Sequence, residues 1–149
     1  MGLYLEEFSV GDVHESPRRT VTEADVVMFA GLSGDYNSAH TDHVHAAATP
    51  FGRPIAHGAL VLSIATGLST RIGYLDGTAL AMSSIDNWNF KAPVFFGDTV
   101  RLRTTVVEVR PSKSKPDRGV LIRKFEMINQ DGQTVQEGFT SVMVKTKGR

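Results

Sequence analysis

The sequence predicts an α+β fold: a single domain over residues 1–149, with one antiparallel β-sheet wrapped around a long central helix and an additional helix and loop before it. Three observations carry this. Residues 57–72, HGALVLSIATGLSTRI, are apolar on nearly all sides with small residues interspersed, the pattern of a helix buried on most of its surface. Four stretches of strand-like alternation follow, at residues 79–94, 99–109, 119–129 and 134–144. Asp131-Gly132 between the last two is a strong hairpin signal. One long helix followed by long strands buries its surface when the sheet closes over it.

The elements before the central helix are read in order. Residues 13–21, VHESPRRTV, form a strand that Pro17 interrupts, which suits an edge or a bulge. Thr22 with Asp25 three residues on resembles an N-cap, and Val26, Val27, Phe29, Ala30 and Leu32 then give an apolar helical face ending near Gly34. Residues 35–40 make a loop. Residues 42–48 form a short helix capped by Thr41 or Asp42 and stopped by Pro50 and Gly52. Among the strands, residues 111–119, PSKSKPDRG, are an exposed polar excursion, and residues 146–149 a basic end.

Composition narrows the function classes. At 149 residues with 41% hydrophobic residues, the chain suits one domain with a core that needs no staples. Sixteen basic residues balance sixteen acidic ones, so no global field gathers nucleic acid or an anionic membrane. The absence of cysteine excludes disulfides, thiolate metal sites and a cysteine nucleophile. The first residues, MGLYLEEFSVGD, hold glutamates where a signal peptide needs positive charge and an apolar core, and no run approaches the roughly 20 apolar residues of a membrane span. A soluble cytoplasmic protein is expected.

The chemistry concentrates between Phe29 and Gly58. Asp35, Asn37 and His40 fall at i, i+2 and i+5 in a segment broken by Gly34, where no amphipathic period accounts for them. A lone Asp in a loop is most often a cap, but here an amide and an imidazole stand beside it and Arg53-Pro54 leads into His57-Gly58. That junction opens the central helix, whose first backbone N–H groups have no helical partner. Loops held on a rigid scaffold are common homes for catalytic groups.

The pattern of Phe29, Ser33, Gly34, Asp35, Asn37, His40 and Ala46, followed by Arg53, Pro54, Ile55, His57 and Gly58, resembles the signature of the MaoC-like hydratases, the (R)-specific enoyl-CoA hydratases of hotdog fold. Residues 90–100, FKAPVFFGDTV, resemble the strand and turn that follow in that family, so the likeness covers most of the chain. Ser38 stands where many relatives carry proline, and Thr66 where characterised hydratases often carry a site serine. The resemblance implies hydration of a trans-2-enoyl-CoA to the (R)-3-hydroxyacyl-CoA, or the reverse dehydration, with Asp35 and His40 activating water. Asn37 would orient the loop or the water, Gly58 would offer its N–H to the thioester oxygen, and Thr66 would help orient the substrate. The resemblance further implies a homodimer with the acyl tunnel at the subunit contact, and no cofactor beyond the coenzyme A thioester itself.

Other readings compete. His40, His43, His45 and His57 with Asp42 invite a metal site, but His43 and His45 sit two apart on a helix and point in different directions, so none is expected. His57 reads as capping or packing at the helix start. Arg53, Lys91, Lys113, Lys115 and Arg118 have no spacing diagnostic of coenzyme A phosphates. Leu62, Met82 and Trp88 are candidates for the acyl tunnel or, more commonly, core. The alternative functions are a hotdog acyl-CoA thioesterase and a non-catalytic acyl-thioester-binding subunit. The Asp-x-Asn-x-x-His block favours hydration.

Overall fold

The computed structural model describes residues 1–148, so the last residue of the expected basic end, Arg149, lies outside the described residues. Its strands are β1 (Val13–Glu15), β2 (Arg19–Thr20), β3 (Ala79–Phe90), β4 (Thr99–Pro111), β5 (Arg118–Ile128) and β6 (Thr134–Lys145). Its helices are α1 (Glu23–Ser33), α2 (Ser38–Thr41), α3 (His43–Ala47) and α4 (Gly58–Ile72). The strands join antiparallel in the order β1-β4-β5-β6-β3, with β2 also on β4. One long helix lies against this sheet, as expected of a hotdog.

The packing follows the side-chain periods. Leu60, Val61, Ile64, Ala65 and Leu68 make the buried face of α4, and they cluster with Val100 and Leu102 of β4, Phe125 and Met127 of β5, and Val135 of β6. These strand residues fall on one face because successive side chains alternate. A second apolar cluster joins Leu5, Phe8, Tyr74, Val106, Leu121 and Val142. The expectation that α4 is buried nearly all round does not hold for the single chain: Ala59, Ser63, Gly67 and Thr70 face outward.

Two boundaries moved for physical reasons. The expected strand at residues 13–21 splits at Ser16-Pro17: Ser16 Oγ accepts the Leu102 N–H at 2.9 Å, which keeps the chain on β4, while Pro17 brings no donor of its own. The strand expected to run to residue 94 stops at Phe90, because the Lys91 and Ala92 amides both donate to the single Val135 carbonyl and Pro93 has no amide to continue the ladder. Among the described residues β3 has only β6 as a neighbour, and Leu80, Met82 and Ile85 on it are 37–47% exposed. Such an unpaired edge is a template for pairing with another chain.

The helices before α4 carry the site. Thr22 caps α1 reciprocally with Asp25, Thr22 Oγ1 accepting the Asp25 N–H at 3.2 Å and Asp25 Oδ2 the Thr22 N–H at 2.9 Å. Gly34 ends α1 in the left-handed region at φ 77°, where a side chain would be strained. Only Val26 and Ala30 of its expected apolar face are buried; Val27, Met28 and Leu32 are exposed. As expected, α3 is capped by Asp42, whose Oδ1 accepts the Val44 and His45 amides.

Candidate active site

After Gly34 reverses the chain, residues 35–40 are shaped by local bonds from short polar side chains. Ser33 Oγ accepts the Asp35 N–H at 3.1 Å, Asp35 Oδ1 the Asn37 N–H at 3.2 Å, and Asn37 Oδ1 the Ala39 N–H at 2.9 Å. The last bond caps α2, so Asn37 builds the turn on which His40 sits.

Three side chains from two separate segments then meet. One ligating atom from each of Asp35, His40 and His57 lies within 4.8 Å of the others. The His40 and His57 rings pack with centroids 3.9 Å apart and planes tilted by 32°, and Phe29 packs on His57 from α1 at 5.0 Å. Each imidazole has one nitrogen committed to a backbone carbonyl: His40 Nδ1 to Ile55 at 2.7 Å, His57 Nε2 to Asp35 at 2.9 Å. A carbonyl only accepts, so each of these nitrogens carries its proton. His40 Nε2 is thereby left uncommitted, as is His57 Nδ1, which is buried without a partner among the described residues. Asp35 is exposed, His40 half-buried and His57 only 2% exposed.

His57 precedes α4 as its N-cap residue yet makes no side-chain cap. Its imidazole is turned to the loop instead, holding the Asp35 carbonyl from below. Of the two expected roles, capping or packing, it packs, against His40 and Phe29, and adds a bond that fixes where the Asp35 side chain starts. His43 goes elsewhere, to Glu23 of α1 at 2.9 Å.

The helix start beside this cluster borders a cleft of about 590 Å³ lined by Phe51, Ile55, Gly58, Phe90 and Lys91 among others. Gly58 opens α4, so its N–H is among those the helix cannot satisfy internally. A Cβ built there would lie 2.7 Å from the Phe90 ring, so the bare α-carbon is what lets wall and helix meet. Gln136, which the sequence reading missed, locks this corner: its Nε2 donates to the Gly58 carbonyl at 3.1 Å and its Oε1 accepts the Trp88 indole N–H at 3.0 Å. It is 2% exposed and sits 78 residues from Gly58 in the chain.

Asp35, His40, Asn37 and Gly58 are thus gathered at one end of α4. Thr66 is not. It lies eight residues further along, about 12 Å at 1.5 Å per residue, its hydroxyl donates to the Ser63 carbonyl at 2.7 Å, and it lines a different cleft.

A carboxylate and an imidazole with one uncommitted nitrogen at a helix start are groups of the kind that can exchange protons and stabilise a developing negative charge. The family described as MaoC like domain matches residues 8–123, and the chain belongs to that MaoC-like dehydratase family. It is 37% identical over 146 residues to the (R)-specific enoyl-CoA hydratase of Rhodospirillum rubrum, covering 97% of this chain and 94% of that protein. It is 43% identical over 102 residues to Protein MaoC of Klebsiella aerogenes, of which it spans only 30%. The crystal structure of the MaoC-like dehydratase from Rhodospirillum rubrum superposes with a TM-score of 0.89 at 31% identity, covering 99% of this chain and all of that one. A Mycobacterium tuberculosis protein described as having a double hotdog fold matches at TM-score 0.86 and 24% identity over 98% of this chain and 45% of its own, which fixes the fold alone. The chain is a hotdog protein and an enzyme of the hydro-lyase class. No described helix is long and apolar enough to cross a membrane.

Proposed function

We propose that the protein adds water to trans-2-enoyl-CoA to give (R)-3-hydroxyacyl-CoA, and catalyses the reverse dehydration, from a site formed by Asp35 and His40. The observation that carries this is that His40 commits Nδ1 to the Ile55 carbonyl and leaves Nε2 uncommitted, in a cluster where one ligating atom each of Asp35, His40 and His57 lies within 4.8 Å of the others, His57 being the residue before Gly58 at the start of α4. Water held by Asp35 gives one proton to His40 Nε2 while its oxygen attacks C3 of the enoyl thioester. The C2=C3 electrons move toward the thioester oxygen, which the Gly58 N–H stabilises as an enolate. The proton on His40 then returns to C2, so that the elements of one water have been added and the thioester is intact. Removing one oxyanion donor typically costs about 10²–10³ in rate, which sets the scale of the Gly58 contribution.

Coenzyme A enters as part of the substrate, and no resident cofactor is needed for these steps. The enzyme works as a homodimer in the cytoplasm, the unpaired β3 edges of two copies joining their sheets. Exposed Leu80, Met82 and Ile85 on that strand support the pairing, as does the outward face of α4. Light scattering behind size-exclusion chromatography should give twice the chain mass, and a persistent monomer at micromolar concentration would count against it.

Crotonyl-CoA separates this activity from its alternatives. Absorbance of the conjugated thioester should fall with no free thiol, and the product should be the (R)-alcohol. Release of coenzyme A as thiol would make the protein a thioesterase, and tight binding without product a non-catalytic acyl-thioester-binding subunit.

A further inference from the structure

The far half of α4 faces a second cleft of about 360 Å³ that the steps above leave unused. Its polar wall is Thr66, Ser69 and Thr70 of α4, its apolar wall includes Leu80 and Met82 of β3 and Phe125 of β5, and Arg123 of β5 lines it as well. Arg123 is 4% exposed. In the alternation of β5 it stands between Leu121 and Phe125, one from each apolar cluster, so a cation points into the core face of the sheet.

That cation lacks a counter-charge. Among the described residues no carboxylate forms an ion pair with it; Asp76 on the cleft wall is exposed and makes none. Nη1 donates to Ser69 Oγ and Tyr74 Oη, while Nε is buried with no partner. The Phe125 and Tyr74 rings lie 4.8 and 5.8 Å from the guanidinium carbon. Directly opposite in register, Thr140 carries another buried hydroxyl without a partner. Rings and hydroxyls orient a guanidinium but leave its charge uncompensated, and a buried unpaired charge is costly. A guanidinium left without a counter-charge in an apolar-walled cleft fits a planar carboxylate.

The cleft also shares structure with the proposed thioester site. Both line α4, and Phe125 packs on Trp88 at 6.4 Å, which bonds Gln136, which bonds the Gly58 carbonyl. An acyl chain anchored at Gly58 and laid along α4 would meet Thr66 and then Arg123. We propose that this cleft is a subsite for a carboxylate at the far end of the acyl chain, so that the enzyme favours dicarboxylic acyl-CoA over methyl-ended substrates. The assignment rests on the acyl-thioester reading above.

Binding tests it without turnover. The full-length protein is titrated calorimetrically with saturated acyl-CoAs, which cannot be hydrated, in pairs of equal chain length ending in methyl or in carboxylate. At one or more chain lengths the carboxylate-ended member should bind about tenfold tighter or better, the range of a charge-assisted hydrogen bond. Arg123→Met should abolish that preference and Arg123→Lys should keep part of it. Equal or weaker binding of every carboxylate-ended member by the wild-type protein overturns the proposal, and this arm needs no variant to fold. Saturable binding of a free dicarboxylate that acyl-CoA does not displace would also overturn it, by marking a separate anion site. Crotonyl-CoA hydration on the same preparation reports on the hydratase reading alone, so hydration without any carboxylate preference sinks only the subsite.

Discussion

The two ends of α4 solve opposite problems. At the start, Asp35, Asn37 and His40 are exposed or half-buried and His57 is buried, and they are held by bonds a few residues long, apart from the two imidazoles that reach back to the Ile55 and Asp35 carbonyls. At the far end, one cation is buried under the helix and held by partners 49 and 54 residues away. At the start, each imidazole keeps one nitrogen uncommitted to any partner among the described residues. The far end is built to fix a charge in place. As proposed, chemistry and recognition are separated along one helix.

Substitutions at the start should have the largest effects, and on rate. Asp35→Asn and His40→Gln should each lower crotonyl-CoA hydration by about 10²–10⁴, the usual weight of general acid–base catalysis, with an unchanged melting curve. Near-wild-type turnover by either would break the contrast. His57→Ala comes next and should affect both properties. It leaves the Asp35 carbonyl without its donor and opens space under His40, so a loss of about 1–3 kcal/mol in stability should accompany a fall in kcat. Unchanged stability with full activity would mean that the imidazole supports nothing.

Further from the chemistry, effects should shift to stability. Gln136→Leu strands the Trp88 indole N–H and the Gly58 carbonyl together, and denaturant unfolding should register about 1–3 kcal/mol. The smallest effect belongs to the α1 cap. Burial pushes the Asp25 carboxyl up, but the Thr22 amide and the Arg19 guanidinium outweigh it and hold the group below its ordinary value. A carboxyl with a depressed folded pKa stabilises above its unfolded pKa, near 3.9, and loses that contribution as pH falls through the folded value. Asp25→Asn should therefore cost about 0.5–1 kcal/mol at neutral pH, and the gap to wild type should close below about pH 4. A gap that persists in acid would assign the cost to packing.

How much of this the residues disclose depends on distance along the chain. The strands, α1 and α4 follow from period and capping, because those signals repeat within a few residues. Asp35, Asn37 and His40 were legible for the same reason: their turn is made by their own side chains. His57 was visible as a residue but not as a partner of His40, since the stacking depends on how the segment from Ile55 crosses the loop. Gln136 reads as an ordinary strand residue, and Arg123 as a solvated one. The alternation of β5 puts Arg123 on the same face as Leu121 and Phe125, but its partners Ser69 and Tyr74 lie 54 and 49 residues away, which no local period reveals.

The central claim is that one loop-borne pair handles both proton steps from one side of the substrate. Hydration of crotonyl-CoA in deuterium oxide tests this most directly, with the relative configuration at C2 and C3 of the product read by NMR. The account predicts a single diastereomer with hydroxyl and deuterium added to the same face. Addition to opposite faces, or a mixture of both, would contradict it.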